Sequence, residues 1–352
     1  MKKLAAPDRS GAQNFRQSHI DAVQSQTTNL ARHKRSQWFR VLFRVRESVL
    51  QAIALRVLVS TAFAGLITAL HQLGVSVSLP FLSSLVPSVV LGLLLVFRTN
   101  TAYQRFWEGR ILWGTLVNAV RNLARQIWVT ITEKSVADQR TKINTLKLLV
   151  AFAIATKLHL RSEPLNAEVA ELISPAQWQK LQSMNHPPLE IAFWIADYLQ
   201  DQHEEGNLNA YQLAAMMALL DAMVDVLGGC ERILKTPIPL AYSIHLKQLL
   251  LIYCLALPFQ MVSDLGWSTP LVAGLVSFTV FGIEEIGIEV ENPFGADPND
   301  LPLDDICRTM YRNIQDLITL APSCCQWRSR TTFGSALTNG TTGQAYPQAA
   351  SQ

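Results

Sequence analysis

Four strongly apolar stretches interrupt polar sequence along the chain, at residues 57–73, 86–97, 246–262 and 269–290. The first has 17 residues, which is the lower limit for a helix that crosses a bilayer. Short segments containing Pro, Ser or Gly join the first stretch to the second and the third to the fourth. This spacing predicts two membrane hairpins, one on each side of a long polar insert.

The insert, residues 98–245, shows helical periodicity and lacks the alternation that is typical of strands. It predicts a cytosolic helical domain of ordinary size. One of its helices is expected to stop at Gly228 and Gly229. After the second hairpin (residues 246–290), residues 291–330 contain an acidic loop and a C-terminal helical segment. The predicted fold class is an all-α membrane protein.

The two ends of the chain differ from the rest. Residues 1–30 and 331–352 are polar with little to bury, which predicts a disordered N-terminus and a disordered tail. In residues 31–97, a basic and aromatic stretch precedes the first hairpin and predicts an interfacial helix. An amphipathic helix packed on a soluble core is the alternative. The positive-inside rule places both termini and the insert in the cytoplasm.

Composition supports a membrane protein and argues against other classes. Only 16% of the residues are charged, against about 25% in typical soluble proteins. The net charge of +3 forms no basic block, so we expect no nucleic-acid partner. Nucleotide-binding, metalloprotease and serine-hydrolase motifs are missing from the sequence, which argues against an enzyme. The seven histidines are scattered, and His71 and His245 are expected to be interfacial or core residues rather than ligands.

Two groups of residues near the membrane segments are candidates for a functional role, and the first is a group of charged side chains. Glu284 and Glu285 end the fourth apolar stretch, and charged side chains at this depth are costly unless they are paired. We expect a structural charge lattice between these glutamates and three arginines at the end of the second stretch, namely Arg98, Arg105 and Arg110. A proton relay through the glutamates is the functional alternative.

Within the second apolar stretch, Val89, Leu93 and Phe97 recur at every fourth position and so lie on one helical face. Core packing explains such a stripe. If several subunits place the stripe around an axis, it can instead line a constriction that gates by dewetting.

Three segments resemble the bestrophin family of ion channels, in its prokaryotic and chloroplast branch. They are LLLVFRTNTAYQRFWEGRILWG at 93–114, KTPIPLAY at 235–242 and EEIGIEVENPFGADPNDLPLD at 284–304. The likeness extends over about residues 38–325 in the same order. It implies a bestrophin-like homopentamer around one central pore, with four membrane segments per subunit and a cytosolic helical domain. It also implies that the second segment is broken and that its cytoplasmic half forms a pore neck.

The resemblance also implies roles for particular residues. It assigns the pore neck to Val89, Leu93 and Phe97, and a second cytosolic aperture to Tyr211. Asp297 and Asp300 match side-chain positions of the family's calcium clasp, so Ca²⁺ is the one candidate cofactor. An Asp-rich turn that caps the next helix is the alternative for this loop.

From these observations we expect a passive ion channel, not an enzyme, that conducts monovalent anions such as chloride and is gated at the apolar neck. The alternatives are a cation-selective or bicarbonate-permeable channel of the same kind, a proton-coupled carrier that uses Glu284 and Glu285, and a membrane-anchored scaffold. The expected partners are chloride or other small ions, the lipid bilayer and further copies of the chain. The expected location is the bacterial inner membrane, or the thylakoid membrane if the source is photosynthetic.

Overall fold

The computed structural model describes residues 49–79 and 85–320. The predicted basic interfacial helix before residue 49, the N-terminal segment 1–30 and the tail 331–352 lie outside the described residues. Almost all of the described chain is helical, and it contains no strand. The all-α class is therefore confirmed.

Ten α-helices follow one another in the described chain. In order they are α1 (Leu50–Gln72), α2 (Leu85–Thr130), α3 (Val136–Leu160), α4 (Ala167–Ala170), α5 (Pro175–Gln182), α6 (Pro187–Glu204), α7 (Ala210–Lys235), α8 (Leu240–Leu265), α9 (Thr269–Glu291) and α10 (Leu303–Thr319). A 3₁₀ turn, Gly266–Ser268, joins α8 to α9 at the place where a short hairpin turn was predicted.

The chain divides into two compact units, and each unit includes parts of α8 and α9. The first, here called the hairpin unit, comprises Met1–Ser83 and Cys254–Glu285. The second, the helical unit, comprises Ser84–Tyr253 and Ile286–Gln352. The predicted division at residues 97 and 98 differs from this one, because α2 passes through that point as a single continuous helix.

The hairpin unit is held together by close packing of α1 against α9 and the end of α8. A Cβ atom at Gly274 would be 2.6 Å from Thr61 Oγ1, so glycine is what allows α9 to approach α1 this closely. Phe63 contacts Phe259 in a tilted arrangement, with the ring centroids 5.9 Å apart and the ring planes at 59°. The opposite side of α1 exposes large apolar side chains such as Leu55 and Leu58, as expected for a helix in contact with lipid.

The core of the helical unit is built around α3 and the second half of α2. Trp113 and Trp128 from α2 are fully buried, and α3 is buried over most of its length. Lys142 of α3 is also fully buried, and its Nζ donates a hydrogen bond to the Ile131 carbonyl at 2.5 Å and pairs with Glu133 at 3.2 Å. The charge of this lysine is thus compensated where α2 ends and α3 begins.

Among the described residues, four helical stretches have the length and apolar character needed to cross a membrane: α1, α3, α7 and the continuous stretch Leu240–Glu291. The first of these corresponds to the first predicted segment, and Leu240–Glu291 contains the third and fourth. The apolar window of α3 is 78% buried inside the protein, so its hydropathy reflects a core helix. The second predicted segment, residues 86–97, is the apolar beginning of α2, whose later part is charged.

Pro87, near the start of the second predicted segment, lies in the first turn of α2, where its missing N–H has no intrahelical partner to lose. One local prediction needs correction. Gly228 and Gly229 do not end α7, which continues to Lys235. Gly229 is needed within the helix for packing, since a Cβ atom there would lie 3.0 Å from two methyl carbons of Leu112 in α2.

Candidate functional site

The first part of α2 has one exposed apolar face. Val89, Leu93 and Phe97 are 50%, 53% and 61% exposed, and Val90 and Val96 beside them are also exposed. The opposite face is buried, as shown by Leu91, Leu95, Arg98 and Ala102. The predicted stripe therefore points away from the helical unit, and core packing within this unit does not account for it.

Hydrogen bonds from the first half of α8 fix the buried face of this part of α2. The Tyr242 hydroxyl donates to the Leu94 carbonyl at 2.8 Å. The hydroxyls of Ser88 and Tyr253 lie 3.3 Å apart, and Arg98 Nη1 donates to Ser243 Oγ at 2.9 Å. These contacts set the rotation of α2, so the direction of the stripe is determined by polar groups on the opposite face.

Two arginines join α2 to the segments on either side of the second hairpin. Arg98 is 3% exposed and pairs with Glu291 at 3.4 Å. Arg105 donates from Nε to the Glu291 carbonyl at 3.0 Å and from Nη2 to the Ile233 carbonyl at 2.6 Å. A further hydrogen bond joins Arg105 Nη1 to the Thr236 carbonyl. We call Arg98, Arg105 and Glu291 the arginine clamp.

The arginine clamp brings the three bestrophin-like segments together. Glu291 Oε1 accepts a hydrogen bond from the Ile238 N–H at 3.0 Å, which ties the 235–242 segment to the end of α9. Phe294, in the loop after α9, is fully buried against α2. A Cβ atom at Gly109 would lie 3.1 Å from the Phe294 ring, so the glycine permits this contact. The three segments therefore occur together because they pack against one another in the fold.

The predicted charge lattice is revised by the structure. Glu284 and Glu285 pair with Arg56 of α1, at 3.4 and 2.8 Å, within the hairpin unit. Arg56 was not among the predicted partners. The one feature of the sequence that could have indicated this ion pair is the position of Arg56 just before the first apolar stretch. Arg98 and Arg105 bind Glu291, and Arg110 is exposed with no ion pair to any described residue. Glu291, about two turns beyond Glu284 and Glu285, is therefore the residue that binds these two arginines.

Tyr211 lies near the start of α7 and is 90% exposed. The helix begins with a capping box, in which the Asn209 side chain accepts from the Gln212 N–H while Gln212 accepts from the Asn209 N–H. The cap fixes the backbone of the first turn, which carries Tyr211. The described residues of one subunit provide no packing partner for most of its surface.

The acidic loop after α9 closes on itself through hydrogen bonds. Asp300 Oδ2 accepts from the Asp297 N–H at 2.7 Å, and the Asp300 N–H donates to the Asp297 carbonyl at 3.0 Å. Asn299 donates to Glu289 at 2.7 Å. Burial raises the pKa of the Asp300 carboxyl. These contacts form an Asp-rich turn, but the turn does not cap α10, whose N-cap is Pro302 with no side-chain cap hydrogen bond. Ca²⁺ normally takes six to eight oxygens, and one oxygen from each of the two aspartates would supply only two of them.

The chain matches the family described as bacterial and fungal bestrophin protein over residues 29–316. It is 64% identical to a voltage-dependent anion channel-forming protein of Nostoc sp., over 81% of this chain and 93% of that protein. A protein of the same description from Synechocystis sp. is 60% identical over the same shares of the two chains.

Solved structures give the same result for the fold. A crystal structure of a bacterial bestrophin homologue from Klebsiella pneumoniae superposes with a TM-score of 0.69 and 30% identity, covering 76% of this chain and 99% of that one. The family resemblance predicted from the three segments is confirmed.

Proposed function

Because the chain belongs to the bacterial and fungal bestrophin family, we propose that it is a membrane channel for anions whose narrowest part is the exposed face of α2. The family, and the names of relatives that are 60% and 64% identical, indicate a channel rather than an enzyme. The observation that carries the proposal is the outward direction of Val89, Leu93 and Phe97, which the contacts behind α2 hold in place.

An exposed apolar face of this size needs a partner. Lipid would suffice for a peripheral helix, but α2 continues directly into the charged half whose apolar side chains form the core of the helical unit. Identical copies arranged around an axis would instead place the stripe of each copy at the centre, where the three side chains form successive apolar rings. We propose a homopentamer of this kind, with gating by dewetting of the rings.

The charge of α2 supports a preference for anions. Between residues 85 and 130 the helix carries five arginines and one glutamate. Arg110, Arg121 and Arg125 are exposed, so their positive charges are available to passing ions. A passage lined by one sign of charge concentrates ions of the opposite sign. We propose chloride as the main physiological ion, and bicarbonate or cation permeation are the alternatives.

The termini and the helical unit are proposed to be cytoplasmic. The basic residues that precede α1 carry this assignment through the positive-inside rule. A bacterial inner membrane or a thylakoid membrane fits equally, and the similarity to proteins of Nostoc and Synechocystis favours a photosynthetic source.

Calcium at Asp297 and Asp300 stays a prediction. The two side chains would need backbone carbonyls and water to complete the coordination, and Asp300 would have to release the Asp297 N–H. Equilibrium dialysis with ⁴⁵Ca²⁺ tests it directly. Binding at micromolar Ca²⁺ that is lost in Asp297→Asn supports the clasp, and identical binding by wild type and variant contradicts it.

Reversal potentials in planar bilayers test the proposed function. Purified protein is expected to give unitary current steps in a tenfold KCl gradient. The reversal potential should approach the chloride equilibrium potential, which for a monovalent ion in a tenfold gradient has a magnitude of about 59 mV. A reversal potential near the potassium value would contradict anion selectivity. Replacement of chloride by bicarbonate on one side then measures the relative permeability of the two anions.

The proton-coupled carrier is separated from the channel by the same preparation in vesicles. A carrier that uses Glu284 and Glu285 would show pH-driven uptake without unitary steps, and Glu284→Gln would abolish that uptake. The ion pairs with Arg56 favour a structural role for both glutamates. We therefore expect unitary steps to persist in Glu285→Gln, whose side chain can still accept a hydrogen bond from Arg56.

A further inference from the structure

Two imidazole rings and one carboxylate converge in the helical unit, away from the exposed face of α2. His159 Nε2 lies 2.6 Å and His186 Nε2 lies 2.8 Å from the same oxygen of Glu231, Oε1. The two ring centroids are 4.4 Å apart. All three side chains are partly exposed, so solvent and ions can reach them. Among the described residues, these are the only three His, Cys, Asp or Glu side chains grouped closely enough to hold one metal ion.

The three residues belong to three different helices, and the backbone fixes each of them. His159 is in the last turn of α3, and Glu231 is one turn before the end of α7. His186 is the N-cap of α6 and has a non-helical backbone, with φ −136° and ψ 73°. Pro187, which follows it, disfavours the helical conformation at His186. In the sequence the residues are separated by 27 and 45 positions. No local spacing motif marks them, which is why the histidines looked scattered.

The donor set has the chemistry of a transition-metal site. Neutral imidazole nitrogen and carboxylate oxygen are typical ligands of Zn²⁺, with bonds of about 2.0–2.2 Å. Tetrahedral geometry with such bonds separates the ligand atoms by about 3.3 Å. Shifts of roughly half an ångström would therefore open the present hydrogen-bonded contacts into a coordination site.

We propose that His159, His186 and Glu231 bind one Zn²⁺ ion per chain. Glu231 coordinates through Oε1 alone, because its Oε2 accepts a hydrogen bond from Lys235 at 3.0 Å. Water occupies the fourth position and reaches it from an adjoining pocket of about 800 Å³ that His159 lines. The carboxyl ends of α3 and α7 lie beside the ion and favour a cation there.

The position of the site links it to the arginine clamp. Arg232, the residue after Glu231, pairs with Glu108 of α2 at 2.5 Å. The carbonyl of Ile233 accepts from Arg105 of the clamp. A metal ion that holds Glu231 to α3 and α6 therefore also restrains the end of α7 that contacts α2. The proposal stands independently of the ion that the channel conducts.

Zinc binding to the purified full-length protein tests the site. The protein is prepared in detergent without a histidine tag, stripped with EDTA and titrated with ZnCl₂, and bound metal is counted by mass spectrometry after gel filtration. Wild type should retain one zinc per chain, and His186→Gln and Glu231→Gln should retain none. His203→Gln is the matched control. His203 lies on α6, the helix that His186 caps, and its ring nitrogen contacts the Leu208 carbonyl instead of Glu231.

Three further measurements test the site independently of metal counting. Zinc should raise the melting temperature of wild type and of His203→Gln and leave the two site variants unchanged. Co²⁺ in the wild-type site should give the intense visible bands of tetrahedral coordination without a thiolate charge-transfer band, which excludes the cysteines. Lys235→Gln removes a positive charge next to the ligand and should tighten zinc binding. Wild type without bound zinc, or zinc retained in both site variants, overturns the proposal.

Discussion

Arg98 explains why the apolar start of α2 is followed at once by charge. Its side chain is almost fully buried, and its guanidinium donates a hydrogen bond to Ser243 and forms an ion pair with Glu291. Removing one partner of a buried pair is costly because the other charge remains without compensation. The charged residue after the stripe thus anchors the buried face of α2, and the apolar residues on its other face remain exposed.

At Phe97, the largest side chain of the stripe, truncation is expected to widen the neck. Phe97→Ala should increase the unitary current roughly two-fold or more, since a wider and less apolar ring dewets less readily. Single-channel recording in symmetric KCl measures the effect. Phe193→Ala is the matched control, because Phe193 is equally exposed but lies on α6. Equal currents for Phe97→Ala and wild type would remove Phe97 from the neck.

Asp304 gives a pH-dependent contribution to stability. A hydrogen bond from Lys157 at 2.7 Å, reinforced by Arg161 at 3.0 Å, holds the pKa of its carboxyl below the usual 3.8. A lowered pKa means that the stabilisation is present above pH 3.8 and is lost as the pH falls toward the folded-state value. Because Asp304 is about half exposed, we expect Asp304→Asn to lower the free energy of unfolding by no more than about 1 kcal/mol at neutral pH.

Melting temperatures between pH 7 and pH 3 measure this contribution. The difference between wild type and Asp304→Asn should shrink below pH 4. Asp305→Asn is the control, since among the described residues Asp305 pairs with Arg308 alone, on the same helix, and is largely exposed. A difference that stays constant down to pH 3 would show that the ion pair does not contribute as described.

At the scale of elements, α2 is the central feature. Its 46 residues extend about 69 Å, so one helix contributes both the exposed apolar stripe and the buried core of the helical unit. Hydrophobic periodicity predicted the stripe and most of the helices. It could not predict that α2 is continuous, because the change from apolar to charged sequence at Arg98 resembles a domain boundary.

Tight packing of α2 against the loop after α9 predicts a penalty at Gly109. A methyl group there would press on the Pro293 and Phe294 rings, both of which are rigid and buried. Gly109→Ala should therefore destabilise the protein by about 1–3 kcal/mol, despite the better helix propensity of alanine. Thermal unfolding in detergent, followed by circular dichroism, measures the change.

Gly228→Ala is the control for this effect. Gly228 is also inside a helix, but a Cβ atom there meets no atom within 4 Å. Alanine should then stabilise the protein by about 0.5–1 kcal/mol through the helix propensity alone. Opposite signs for the two substitutions are the expected result, and a stabilised Gly109→Ala would contradict the close contact.

At the scale of the whole molecule, what the sequence could predict depended on distance along the chain. The hairpins, the helical insert and the stripe come from local patterns, and three separate segments carried the family resemblance. Partners from distant segments were missed, as with Arg56 for Glu284 and Glu285, or Glu231 for the two histidines. Such pairs leave no spacing signal, because the fold alone brings them together.

The exposed apolar face of α2 and the exposed Tyr211 predict an assembly of identical chains. Native mass spectrometry after release from detergent should give five chains of 39.2 kDa, or about 196 kDa. A monomer or a dimer as the main species would contradict the proposed ring around a central neck.

Cysteine accessibility at the stripe tests the central claim most directly, namely that the exposed face of α2 lines the ion pathway. Leu93→Cys places a thiol on the stripe, whereas Leu95→Cys places one on the buried face of the same helix. A negatively charged methanethiosulfonate applied to open channels should reduce the current of Leu93→Cys, and a reducing agent should restore it. Wild type and Leu95→Cys should be unaffected. A Leu93→Cys channel whose current does not change, although mass spectrometry shows the thiol to be modified, would contradict the account.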